Sequence, residues 1–191
     1  MTDQQSLMRH AIVPSFALLC SLALGCSSNG AAPADGSAGG ACSMGAPLAA
    51  PIAGCMPTPM ASTGDPHQDC VNRINQFRCE CQHLPPLGRW TDGEACADQM
   101  AAYDSQHPGM PHAAFRAGVC SGGNAQNECP AWPSVDATIS GCLQQMWDEG
   151  PGDFNMGHGH YINMSNTSYT HVACGFATDA MGGVYAVQNF Q

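Results

Sequence analysis

An α+β fold, with helices first and strands last, is what this sequence predicts, and two patterns and one count carry the prediction. Between residues 65 and 149, apolar residues recur at helical spacing behind residues that cap helices well. From residue 160 onward they fall into short runs divided by Asn166-Thr167-Ser168 and Asp179-Ala180-Met181-Gly182-Gly183, the punctuation of antiparallel strands. The count is of cysteines: twelve in a chain of 191 residues, which points to a disulfide-stapled domain.

The elements follow in order. Asp65-Pro66 places an N-cap and a first-turn proline ahead of Val71, Ile74 and Phe77, so a first helix is predicted to about Cys81. Leu84-Pro85-Pro86-Leu87 breaks it. Thr91-Asp92-Gly93-Glu94 reads as a capping box, and a second helix runs from there through Cys96, Met100 and Tyr103. Residues 106 to 133 read as a long loop, and such loops are functional or stapled. Ser134 caps a third helix with the stripe Val135, Ile139, Cys142 and Met146, which Gly150-Pro151 ends after Glu149. Three strands are predicted at 160–165, 170–177 and 184–190, with His160 at the start of the first.

Ahead of this domain lie two segments of another kind. Arg9-His10 precedes an apolar run from Ala11 to Leu24, too short to span a bilayer but suited to a secretory signal over residues 1–25. Gly25-Cys26 resembles the lipobox of bacterial lipoproteins, which would make Cys26 a lipidated N-terminus; Ala23 and Leu24 depart from its usual pattern. Residues 26–65 are rich in Gly, Ala, Ser and Pro and read as a tether, leaving 66–191 as the folded domain. The expected location is therefore lipid-anchored at an outer membrane, or extracellular.

Net charge is −10, and the five basic residues, all arginine, are scattered at Arg9, Arg73, Arg78, Arg89 and Arg116. A nucleic-acid binder needs a basic stripe that releases counterions, so that class is excluded. With Cys20 removed in the signal and Cys26 lipidated, an even set of cysteines is left, and none has zinc-finger spacing. Cys120 with Cys129 is the expected pair, closing one loop, and Cys142 with Cys174 is the second choice. No Gly-x-Ser-x-Gly elbow appears, and no serine has an evident base beside it.

Asn75 and Arg78 in the first helix, Pro85-Pro86-Leu87 leading to Trp90, Trp147-Asp148-Glu149, Gly159-His160-Tyr161 and Val172-Ala173-Cys174-Gly175 stand in a telling order. Together they resemble the CAP superfamily of cysteine-rich secretory and SCP-like domains over about residues 68 to 190. The resemblance implies a three-layer α-β-α sandwich with a cleft of two histidines and two glutamates, often able to bind a divalent metal. Carried over, His160 and Glu149 match the family's histidine and carboxylate, and His112, or else His107, matches the second histidine. Gln126 stands where the family has its other glutamate, unless Glu128 takes that part. His112, His160, Glu149 and Gln126 are thus the expected metal-site set, with zinc as the cofactor.

Two features of the residues themselves bear on this site. Glu149 ends a helix, where the macrodipole disfavours an anion by about 0.3–1 kcal/mol, a local conflict expected where function requires it. His158-Gly159-His160 with Met156 and Met164 offers a second arrangement, suited to copper(I). The expected function is a binding module for a lipid or sterol, a divalent metal, or a protein partner. The alternatives are a zinc hydrolase with Glu149 as base, and a structural module with a vestigial cleft.

Overall fold

The computed structural model describes residues 44–191. The expected signal segment and the expected lipidation at Cys26 lie outside the described residues. Helix α1 (Pro66–Gln76) runs into a π-helical turn (Phe77–Cys81), and Asp65 caps it by accepting from the His67 and Gln68 amides. A two-residue strand β1 (Gly88–Arg89) leads to α2 (Thr91–Ser105), the short α3 (Ala113–Ala117) and β2 (Ala125–Trp132). Then α4 (Val135–Ala137), a π turn (Thr138–Cys142) and α5 (Leu143–Asp148) make one unbroken helical stretch, capped by Ser134. A 3₁₀ turn (Phe154–Met156), α6 (Gly159–Ser165), β3 (His171–Thr178) and β4 (Val184–Phe190) complete the domain.

The four strands form one sheet in the order β1-β3-β4-β2, with β1 parallel to β3 and the rest antiparallel. Strand alternation puts Val172 and Cys174 on one face and Ala173 on the other, and likewise Ala186 against Val187. The first face carries α1, α5 and α6 through Ile74, Phe77, Trp147, Tyr161 and Met164. The second carries α2 and α3 through Ala97, Met100, Ala101 and Ala114. This is the expected three-layer sandwich. Trp147 stacks on Phe77 at 5.5 Å and meets Tyr161 edge-on at 5.0 Å, so the tryptophan beside Glu149 anchors α5 to both helices of its layer. Gly175 lets α2 lie on the sheet: a Cβ there would sit 2.1 Å from the Ala97 carbonyl carbon.

Four disulfides staple the described residues: Cys55–Cys81, Cys70–Cys174, Cys96–Cys120 and Cys129–Cys142. Cys79 is disulfide-bonded as well. The expected pairs Cys120–Cys129 and Cys142–Cys174 are both corrected. Cys129 faces the α1/α5 layer and Cys120 packs with α2, so the sheet separates them. Cys174 lies on β3 over α1 and takes Cys70, whereas Cys142 lies beside the edge strand and takes Cys129. Residues 48 to 58 lie against this body: the Leu48 and Ile52 amides donate to the Gln82 and Cys81 carbonyls, and Arg73 donates to the Pro57 carbonyl at 2.7 Å.

Three further expectations are corrected. The segment 160–165 is helix α6, because Tyr161 and Met164, three apart, are the residues buried in the core. The loop at 106–133 contains α3 and β2. Thr91 and Glu94 form no capping box: Trp90 is the N-cap without a side-chain bond, and the Glu94 carboxylate instead takes Arg89 at 2.5 and 3.0 Å.

Candidate functional site

Edge strand β2 organises the site through its two faces. Gln126 and Glu128 point to the α2/α3 side, and Asn127 points to the α6 side. Gln126 Oε1 lies 2.9 Å from His112 Nδ1, while its Nε2 donates to Asn189 Oδ1 at 3.0 Å. Glu128 Oε2 accepts from the His112 backbone amide at 2.6 Å. On the other face, Asn127 Nδ2 donates to the His160 carbonyl at 3.1 Å, and Asn163 Nδ2 donates to Asn127 Oδ1 at 2.9 Å. One strand therefore positions a histidine from each helical layer. Their ring centroids are 6.5 Å apart across the edge of the sheet.

His112 sits at the N-terminus of α3 with φ 55° and ψ 33°, a left-handed conformation that costs a non-glycine residue about 1–3 kcal/mol. Two buried acids hold it there: Glu128 takes the His112 amide, and Asp104 Oδ1 takes the Ala114 amide at 2.7 Å. Burial raises both carboxyls, with the amide hydrogen bonds acting the other way. Buried acids with raised carboxyls recur at functional sites, and these two also hold the left-handed His112 in place.

His160 is held by Glu149. Its Nδ1 is 2.5 Å from Glu149 Oε1, and Glu149 Oε2 accepts from the His160 amide at 2.9 Å and the Tyr161 amide at 3.3 Å. Glu149 follows α5 at its C-terminal end, where a carboxylate is disfavoured, yet it binds the first-turn amides of α6, where one is favoured. Arg78 completes the pattern at the far end. Its Nη1 donates to the Met164 and Asn166 carbonyls at 2.7 and 3.0 Å, and burial brings this guanidinium down to about 10. Helix α6 is thus capped at both ends by charges of the sign its dipole requires.

A carboxylate oxygen and an amide oxygen accept, so Nδ1 is the donating nitrogen of both rings. Nε2 is then the lone-pair nitrogen each ring offers to the cleft. The cleft has a volume of about 290 Å³ and is lined by His112, His160, His107, Glu128 and the apolar Met110, Pro111, Pro130 and Tyr185. Of the expected set, His112 and His160 line it together; Gln126 and Glu149 stand behind them, each bonded to the Nδ1 side of its ring. His107 joins the wall, and its Nδ1 bonds the Tyr103 carbonyl at 2.7 Å. No three of the His, Cys, Asp and Glu side chains cluster as metal ligands among the described residues. The Met156/His158/Met164 arrangement does not assemble, since Met164 is wholly buried in the core and Met156 is 76% exposed.

Glu128 lines the cleft although no local motif marks it. Its two-residue offset from Gln126 places it on the same side of a strand, which becomes a signal only once β2 is recognised as a strand. Tyr185 and Asn189 come from β4, where no motif in the sequence marks them as site residues.

The family profile described as CAP, the cysteine-rich secretory protein family, matches residues 71–190. Among solved structures, that of BmVAL-1 is similar at 17% identity and a TM-score of 0.49, covering 71% of this chain and 80% of that one. No curated protein matches the sequence. The chain belongs to the cysteine-rich secretory protein family.

Proposed function

We propose that this member of the cysteine-rich secretory protein family is an extracellular binding module whose cleft holds a divalent metal ion, zinc by its donor set, between His112 and His160. One observation carries the reading: both imidazoles have Nδ1 engaged by a side-chain oxygen behind the cleft, which frees both Nε2 atoms on its wall. Metal-binding histidines are held this way, with the second nitrogen donating to an outer oxygen that sets ring orientation and basicity. Two imidazoles fit the ion but fall short of the three protein ligands of a catalytic zinc site, so affinity is modest.

A bound zinc ion would supply a positive charge that polarises an oxygen of a ligand entering from solvent. His112 and His160 would hold the ion, Gln126 and Glu149 would orient the rings, and Met110, Pro111, Pro130 and Tyr185 would receive an apolar part of the ligand. Binding is favoured over hydrolysis because Glu149, the expected base, has both oxygens occupied by α6 and His160. The disulfides fit an oxidising, extracellular setting. Anchoring through a lipid on Cys26 belongs to the same proposal, and mass spectrometry of the mature N-terminus tests it; an unmodified N-terminus elsewhere removes it.

The metal reading is tested by calorimetry with zinc on the wild-type protein and on His160→Ala at about pH 7.5, where free imidazoles are neutral. Zinc uptake by the wild type, lost in His160→Ala, is the expected result. Absence of uptake, or uptake indifferent to the substitution, contradicts it.

A further inference from the structure

We propose that the same cleft recognises a small organic cation, a primary ammonium on an apolar body, and that Glu128 is the residue that receives the ammonium. The proposal rests on the reading of the cleft as a binding site and adds Glu128 to it; because the ammonium would take the same Nε2 atoms as a zinc ion, the two ligands exclude one another.

Glu128 is only 7% exposed, yet it lines the cleft. A carboxylate so far removed from water is costly unless a charge or several hydrogen bonds compensate. Oε2 has one partner, the His112 amide. Oε1 accepts no hydrogen bond among the described residues and is not sealed from the cleft. No arginine stands on the cleft wall to neutralise it. Burial raises the carboxyl and Asp104 beside it raises it further, while the His112 amide and the imidazoles of His112 and His160 act the other way. Apart from these titratable rings no cationic side chain lines the cleft, so at neutral pH the acid lacks a permanent positive partner in a place open to a ligand.

The acceptors on the wall also specify the ligand's shape. Glu128 Oε1 and the Nε2 atoms of His112 and His160 are three acceptors without a donor, and an ammonium has three donors and no acceptor. An anion would meet Glu128, and a hydroxyl would leave acceptors unsatisfied. Pro111, Pro130 and Tyr185 give the apolar body a surface, and about 290 Å³ accommodates a single small molecule. The net charge of −10 favours the approach of a cation.

Glu128 also anchors His112, so the test separates charge from anchoring. Glu128→Gln keeps an oxygen for the His112 amide and loses only the charge. Metal-free full-length protein is titrated calorimetrically with benzylammonium and with benzyl alcohol, its neutral counterpart. Wild type is expected to bind the ammonium at least about tenfold more tightly, the usual weight of a charge-assisted contact, and Glu128→Gln is expected to lose that preference. Equal affinity of the wild type for the two compounds, no binding of either, or a preference retained in folded Glu128→Gln overturns the proposal. The wild-type comparison stands even where the variant fails to fold. Zinc binding without an ammonium preference removes this inference alone, and the preference without zinc binding removes the metal reading alone.

Discussion

Replacing Glu149 by alanine is expected to weaken the fold and the cleft together, because one carboxylate serves both. It accepts from the His160 and Tyr161 amides and from His160 Nδ1, at 2.9, 3.3 and 2.5 Å. His158, the N-cap of α6, provides no side-chain hydrogen bond of its own, so Glu149 is the cap of that helix. Loss of a cap costs about 0.5–2 kcal/mol, and a hydrogen bond to a charged group contributes about 1.5–3 kcal/mol. The Glu149 side chain is 22% exposed, and water replaces part of what is lost, which places the expected destabilisation at about 2–3 kcal/mol. Glu149→Gln keeps one oxygen and should lose about half as much. Urea unfolding reads the stability, and zinc calorimetry reads the cleft, where a freed His160 ring should cost about 10–100-fold in affinity. A Glu149→Ala protein within about 0.5 kcal/mol of wild type, with unchanged zinc affinity, would refute the capping argument.

Three other outcomes are expected. Glu128 has its carboxyl raised in the fold, so its ionised form opposes folding above its ordinary range; Glu128→Gln should gain stability near pH 7, and the gain should vanish on approaching about pH 4 in a pH series of urea unfolding. Gln126→Glu adds an acid beside Glu128 and Asp104 and removes the donor to Asn189, so it should lose about 1–3 kcal/mol while binding zinc more tightly, opposite signs that calorimetry and unfolding read separately. Serine at both Cys70 and Cys174 opens a crosslink of sequence separation 104 and should cost about 4–5 kcal/mol in the chain-entropy model, and peptide mapping without reduction should show the Cys129–Cys142 pair unchanged.

Much of the fold was legible because it follows from local chemistry. Asp65 and Ser134 are the expected caps, and the apolar runs at 170–177 and 184–190 correspond to β3 and β4. What stayed hidden is concentrated at the site. Strand β2 buries Gln126, Asn127 and Glu128 where a structural strand would bury apolar residues, so no alternating pattern marks it. Helix α6 is short, and its ends are satisfied by Glu149 and Arg78 from distant segments, which no local motif reveals. Disulfide pairing is hidden for a related reason: it follows the face of the sheet, and the face of Cys129 cannot be assigned before β2 is known. Glu149 shows the opposite case. Its conflict with the α5 dipole, which the sequence offers as a mark of function, is offset structurally by the first-turn amides of α6.

The central claim is that His112 and His160 present Nε2 lone pairs to one cleft with Nδ1 protonated and held from behind. Long-range proton–nitrogen NMR spectra of the imidazoles at about pH 7.5 test it most directly. Both rings are expected to appear as the Nδ1–H form, and zinc is expected to shift both Nε2 resonances at the same metal ratio. An Nε2–H form at either ring, or zinc shifting one ring without the other, contradicts the account.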